Sequence, residues 1–321
     1  MTDVSNQTTT RSTAGIASVS LKQPLEDIAD ELGRSFAEYG FAIVRDHGIP
    51  RDLIDRAEAK SKEFFALPDD VKRSYKIEGG GGARGYTPFG TEKAKDAEIF
   101  DLKEFWHVGR SLNEGHELAQ YMAPNVWPEE VDSFKATFSE LFAAFDEAGL
   151  RVLEAIALHL GLERTFFAPT VEDGNSVMRL LHYPPLGPEA PEGAIRAAAH
   201  GDINTITLLL GAEEAGLELL SKSGEWLSVD VPEGALVINV GDMLERLTNG
   251  ALRSTTHRVV NPNGEAARRS RYSMPFFLHF RPDYVIEPLA SCVDEDSDKP
   301  LPEPISSHEF LLQRLREINL V

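Results

Sequence analysis

The segment AAAHGDINTITLLL places His200 and Asp202 two positions apart. On a strand alternate side chains share a face, so this imidazole and this carboxylate are expected to point the same way. A later strand-like run, STTHRVVNP, supplies His257. Two imidazoles and one carboxylate on one face of an octahedral metal leave three positions open. That ligand set suits non-haem iron(II), with two open positions for a chelating 2-oxo acid and one for dioxygen. Downstream, RYSMPFFLHF opens with Arg271 and, two positions on, Ser273. A guanidinium beside a hydroxyl anchors a carboxylate well, because Arg donates two parallel charge-assisted bonds. Taken alone, Arg271 reads as one more surface arginine of AARRSRY.

The elements that must hold these residues follow from periodicity. Seven short strand-like runs separated by turns fill residues 176–287: SVMRLLHY, INTITLLLG, LELLS, WLSVDV, ALVINVG, HRVVN and SMPFFLHF. Repeated short strands of this kind predict a sandwich or barrel. Helical spacing predicts a helix from Pro24 to about Tyr39, a second from Pro50 to about Tyr75, and a long one from about Glu130 to His159, stopped near Gly161. FAIV, from Phe41 to Val44, reads as a buried strand. The glycine-dense GGGGARGYTPFG, Gly79–Gly90, reads as a loop and lacks the GK[ST] ending of a phosphate-binding loop. A last helix, SSHEFLLQRLREINL, carries Ser306 and Glu309 at capping-box spacing. Residues 1–15 read as a mobile tail and 16–321 as one domain. Its parts are a helix-and-strand region to 175, a strand-rich core over 176–287 and an extension over 288–321.

Bulk composition narrows the partners. The formal net charge is −20 at pH 7, which disfavours nucleic acid and anionic membrane surfaces. One cysteine, Cys292, forbids an internal disulfide and suits a reducing cytoplasm. The N-terminus has no apolar signal stretch, and no run reaches the roughly 18 apolar residues of a spanning helix. The expectation is a cytoplasmic protein with a small-molecule ligand. Oligomeric state stays open.

HGD, then HRVVNP, then RYS resembles the isopenicillin N synthase-like family of iron(II)- and 2-oxoglutarate-dependent oxygenases. FAIVRDHGIP, RGYTPFG, DLKEFWHVGR, RLLHYPP and GALVINVGDMLERLTNG resemble further segments of that family, covering most of residues 15–320. The resemblance implies a double-stranded β-helix, or jelly-roll, mainly β with flanking N-terminal helices and a C-terminal helix. It implies iron(II) on His200, Asp202 and His257. It implies the distal carboxylate of 2-oxoglutarate on Arg271 and Ser273, with Tyr183 a further contact. It also implies the chemistry. Dioxygen and 2-oxoglutarate are consumed, succinate and carbon dioxide leave, and a C–H bond of the substrate is hydroxylated, desaturated or cyclised. Plant members often have Thr between the first His and Asp, where this chain has Gly201.

Five residues are candidates for the substrate pocket. Asn204 shares the face of His200 and Asp202 if the strand stays regular. Arg179 shares a face with Tyr183, and either holds a substrate carboxylate or pairs with an acid. Phe105 and His107 share one face of FWHVGR, with Trp106 opposite. Phe277 shares the face of Arg271 and Ser273. Three rival readings stand beside the oxygenase. One is an iron(II) oxidase that uses no 2-oxoglutarate. Another is a zinc hydrolase, which would want a general base beside the metal. The third is a non-catalytic barrel that binds small acids.

Overall fold

The period-two runs after Ser176 do form strands, and they pair with strands from the first part of the chain. The structure is a computed structural model and describes residues 15–78, 83–92, 100–186, 195–210, 216–262, 264–294 and 300–317. The expected tail over 1–15 lies, apart from Gly15, outside the described residues. So do Gly79–Gly82 at the head of the glycine-rich loop and the last four residues of the chain.

Among the described residues, twelve strands build two facing sheets. They are β1 (Ser18–Ser20), β2 (Phe41–Arg45), β3 (Gly85–Thr87), β4 (Glu104–Gly109), β5 (Val177–Tyr183), β6 (Ala197–His200), β7 (Ile206–Leu210), β8 (Leu217–Leu220), β9 (Trp226–Ser228), β10 (Leu236–Val240), β11 (His257–Val259) and β12 (Arg271–Leu278). The larger sheet runs β1-β2-β10-β7-β12-β5-β4-β3 and the smaller runs β6-β11-β8-β9. Every pair is antiparallel except β1 with β2. Two antiparallel sheets in this arrangement make the double-stranded β-helix. Apolar side chains from both sheets meet between them: Phe41 and Val237 from the larger, Ala197, Leu217, Leu219 and Val259 from the smaller.

The helices are α1 (Leu25–Tyr39), α2 (Arg51–Phe65), α3 (Asp69–Ser74), α4 (Phe134–His159), the one-turn α5 (Ala168–Val171), α6 (Asp242–Leu247) and α7 (Ser307–Glu317). The long helix α4 covers the outer face of the larger sheet. Phe276, fully buried on β12, stacks on Phe145 at 5.2 Å and meets Phe142 edge-on at 4.9 Å. Trp106 turns to the same outer side and packs on Phe64 and Phe134. Its neighbours Phe105 and His107 face the opposite way, as strand alternation requires.

Three boundaries differ from the sequence reading. The helix expected from Pro50 to Tyr75 is two, α2 and α3, broken at Pro68. Proline lacks the N–H for helical bonding and pushes the residue before it out of the α region. The long helix starts at Phe134 rather than near Glu130, because Ser133 ahead of it is left-handed, with φ 60°. Part of the glycine-rich loop is strand: Gly85–Thr87 pairs with Phe105–His107. The capping box is present, with Glu309 N–H donating to Ser306 Oγ and Ser306 N–H to Glu309 Oε2. No helix among the described residues is long and apolar enough to cross a membrane.

Candidate metal centre

His200 and His257 face each other as a register pair of β6 and β11, with ring centroids 4.5 Å apart. Strand β6 ends at His200, so Asp202 stands in the following turn rather than on the strand. That turn brings the carboxylate back. Asp202 Oδ1 lies 3.9 Å from both His200 Nε2 and His257 Nε2. The ligating atoms of the three residues all fall within 4.8 Å of one another.

The turn is held from α6. The Asp242 N–H donates to Asp202 O, and the Met243 N–H to Ile203 O and Asn204 O. Gly241 must lack a side chain here, since a Cβ would stand 2.0 Å from Asn204 O. Gly201 has no such constraint: a Cβ there would make ordinary contacts with Ser254 and Asp242.

Partners around the three residues orient them for a cation. His200 Nδ1 is 2.7 Å from Ala198 O, and His257 Nδ1 is 3.1 Å from Thr255 O. A carbonyl only accepts, so each Nδ1 carries the proton and each Nε2 keeps its lone pair. Asp202 Oδ2 accepts from Thr207 Oγ1 at 2.5 Å and Asn239 Nδ2 at 2.8 Å, which leaves Oδ1 for the cluster. Burial and then the adjacent His257 push His200 down to about 4, so it is neutral at pH 7. Burial alone would raise Asp202. The neighbouring His257 and His200, with the two hydrogen bonds, outweigh it and hold the carboxyl below its usual value. Two imidazole lone pairs and one carboxylate oxygen, converging without a proton between them, fit an iron(II) ion.

A cavity opens beside this cluster between the sheets. Arg271, Ser273, Pro275 and Phe277 of β12 line it, as do Arg179, Leu181 and Tyr183 of β5. Arg271 and Ser273 are both buried, and the Arg271 guanidinium lies 5.0 Å over the Tyr183 ring. Arg179 Nε donates to His107 Nε2 at 2.6 Å and Nη1 to Glu92 at 3.2 Å. Its guanidinium sits 4.2 Å from the Phe105 ring and 5.4 Å from that of Phe277. Phe105 and His107 therefore stand behind Arg179. Asn204 does not follow the strand-face expectation, because the strand has already ended. It is buried, donates to Ile206 O and Thr207 Oγ1, and supports the turn. A separate open groove of about 550 Å³ between α6 and α7 contains none of these residues.

Several residues of the site went unnoticed in the sequence. Lys103 lines the cavity, 2.6 Å from Glu92 and 2.8 Å from Asp101. Burial would lower its pKa, but Glu92 and Asp101 outweigh that and raise it. Asp101 Oδ1 in turn accepts the Ala198 N–H, tying β6 to the segment before β4. Period two puts Lys103 on the face of Phe105 and His107, a signal that was available. Thr207 and Asn239 were visible only as lone polar residues in apolar strands.

Residues 16–130 match the family described as non-haem dioxygenase in morphine synthesis N-terminal, and residues 174–280 match the 2OG-Fe(II) oxygenase superfamily. The 2-oxoglutarate-Fe(II) type oxidoreductase hxnY of Emericella nidulans is 35% identical over 288 residues, covering 87% of this chain and 81% of its own. A crystal structure of a 2OG-Fe(II) oxygenase family protein from Caulobacter crescentus is 55% identical, with TM-score 0.88, covering 95% of this chain and 100% of that one. A full-length Neurospora crassa protein, crystallised in complex with alpha-KG and thymine, is 28% identical, with TM-score 0.84, covering 95% of this chain and 98% of that one. Sequence similarity along most of its length, and a jelly-roll carrying a His-Asp-His cluster, show that the chain belongs to the iron(II)- and 2-oxoglutarate-dependent oxygenases of the isopenicillin N synthase-like family.

Proposed function

We propose that His200, Asp202 and His257 hold the iron(II), that Arg271 and Ser273 anchor the distal carboxylate of 2-oxoglutarate beside Tyr183, and that a small-molecule substrate is oxidised in the cavity past Arg179 and Phe277. The observation that carries this reading is the proton arrangement at the cluster. Both Nδ1 atoms are committed to carbonyls and Asp202 Oδ2 to two donors, so three lone-pair atoms converge. Bound there, iron(II) and 2-oxoglutarate supply the oxidising power for attack on a C–H bond, with 2-oxoglutarate decarboxylated to succinate.

The chain's own residues bind, orient and exclude water. Thr207 and Asn239 fix the Asp202 carboxylate. Arg271 offers a planar fork for a carboxylate in a buried setting, where a charge-assisted bond is strongest. Leu181, Leu209 and Phe277 keep the cavity wall apolar. Residues 16–321 act as one catalytic unit. In support, β2 pairs with β10 and β4 with β5, so both parts of the chain share one sheet. Work in the cytoplasm fits the single cysteine and the absence of a long apolar helix among the described residues.

The test is anaerobic titration of iron-loaded protein with 2-oxoglutarate, following the metal-to-ligand charge-transfer band of the chelate. Losing one partner of a buried charge pair costs about 3–5 kcal/mol, and a hydrogen bond to a charged group is worth about 1.5–3 kcal/mol. Arg271→Ala should therefore weaken 2-oxoglutarate binding by roughly two to four orders of magnitude, with iron affinity far less affected. An unchanged midpoint would place the carboxylate elsewhere. A wild-type protein with no band, and no succinate released on turnover, would replace this reading with an oxidase that uses no 2-oxoglutarate.

A further inference from the structure

We infer that Arg84 is a binding site for a carboxylate on the substrate, making that substrate a small organic acid held at two separated points. The inference rests on the reading of the inter-sheet cavity as the active site.

Arg84 precedes β3 and is only 3% exposed. A Cβ built on Gly109 would fall 1.9 Å from its Cζ. The guanidinium thus takes the place of a side chain on β4, on the face that carries Phe105 and His107. The sheet register carries that position across to the metal cluster. Gly109 pairs with Val177, Val177 with Phe277, Phe277 with Thr207, and Thr207 with Asn239. Thr207 and Asn239 are the two donors to Asp202. Arg84 therefore stands on the rung of the metal support, three strands from β7. At about 4.8 Å per strand, the backbones of Gly109 and Thr207 are about 14 Å apart along the sheet.

Among the described residues its bonding is incomplete. Nη1 donates to Ala83 O at 2.7 Å. Nε and Nη2 are buried with no hydrogen-bond partner among the described residues. Burial lowers its pKa to about 10. The contrast with Arg179 is direct, since that guanidinium has Glu92 and His107. The two idle groups of Arg84 share one edge of the guanidinium, the edge that meets a carboxylate with two parallel bonds. A buried water could take up an N–H, but it could not balance the charge. His279, also buried on this side, is pushed down to about 4 by burial and brings no negative charge. Arg271, at the start of β12, lies six residues along that strand from Phe277. The carboxylates of 2-oxoglutarate and of the substrate would be kept apart by that length.

The test uses the full chain loaded with iron(II) and saturating 2-oxoglutarate without oxygen. Unfolding temperature is measured with monocarboxylates from acetate to octanoate and benzoate, and with the matching amides. Wild type should be protected by at least one carboxylate and not by its amide. Arg84→Gln should lose that protection, an apparent affinity at least tenfold weaker, while keeping the charge-transfer band. Arg84→Lys should keep part of it. Without added acid, Arg84→Gln should unfold at the same or a higher temperature, because it removes a buried charge that has no acidic partner among the described residues. Equal protection by acid and amide, protection unchanged in Arg84→Gln, no protection by any acid, or a large loss of stability in the acid-free Gln variant would each overturn the assignment. A missing charge-transfer band in wild type would instead strike the active-site reading, and Arg84-dependent protection would still support the anion site.

Discussion

The Asp202 carboxylate divides its work between its two oxygens, one facing the imidazoles and the other taking donors from Thr207 and Asn239. Removing one donor should free the carboxylate to rotate. Thr207→Val keeps the shape of the side chain but deletes the hydroxyl. It should weaken iron(II) binding roughly 10–100-fold, the usual cost of losing a support behind a metal ligand. Competition with a chelator measures this, and unchanged affinity would mean Asn239 suffices. At this scale the sequence was informative about ligands and silent about their supports. His200, Asp202 and His257 announce themselves by type and spacing. A lone Thr in ITLLL or Asn in LVINV says only that a buried polar group needs a partner, and which partner depends on strand pairing.

Strand β6 is four residues long and carries His200 at its end, so something outside it must fix its position. Asp101 does this through the Ala198 N–H, and Lys103 holds Asp101 and Glu92 together. Lys103→Met would leave the buried Asp101 without its cation and Glu92 with Arg179 alone. Breaking such a group by removing one partner costs about 3–5 kcal/mol, read as a lower urea midpoint at pH 7. A smaller loss in Lys103→Met combined with Glu92→Gln would identify charge, not packing, as the cause. Element types were largely legible, because α1, α4 and the strands after Ser176 follow their periods over enough residues. The break at Pro68 could have been read from the proline itself. The end of β6 at His200 could not, because HGDIN continues the alternation that the turn interrupts.

Across the whole molecule, several buried carboxyls stay ionised and make stability depend on acid. Burial would raise Glu104, but hydrogen bonds from His182, Lys72 and Tyr86 outweigh it and hold its pKa below the usual 4.5. A carboxyl depressed in the folded state contributes stability above its unfolded pKa and loses it as pH falls through the folded one. Glu92 and Asp202 shift the same way. The urea midpoint of the metal-free protein should therefore be level only above about pH 7. It should decline gently below that, because the unfolded chain protonates histidines while burial keeps His200 and His279 neutral, and fall more steeply below about pH 4.5 as the carboxyls protonate. Glu104→Gln should start lower at pH 7 and fall less on acidification. A fall as steep as wild type would remove Glu104 from the account. Fold class was legible from repeated short strands, and the family resemblance sharpened it to a jelly-roll. Strand order was not, because no local pattern says that β2 belongs beside β10.

That pairing has a consequence for the chain as it leaves the ribosome. The partner of Val44 on β10 is Leu236, about 190 residues later. At about 5–20 residues per second, β2 is complete roughly 10–40 seconds before its neighbour exists. Through that interval the apolar run FAIV carries an unpaired edge on one side, a template for another nascent chain. Helix α4, made about midway, is the earliest element able to gather α1 and α2 into a cluster that shields it. Yield during synthesis should then depend more on the packing of α4 than on any residue of the metal site.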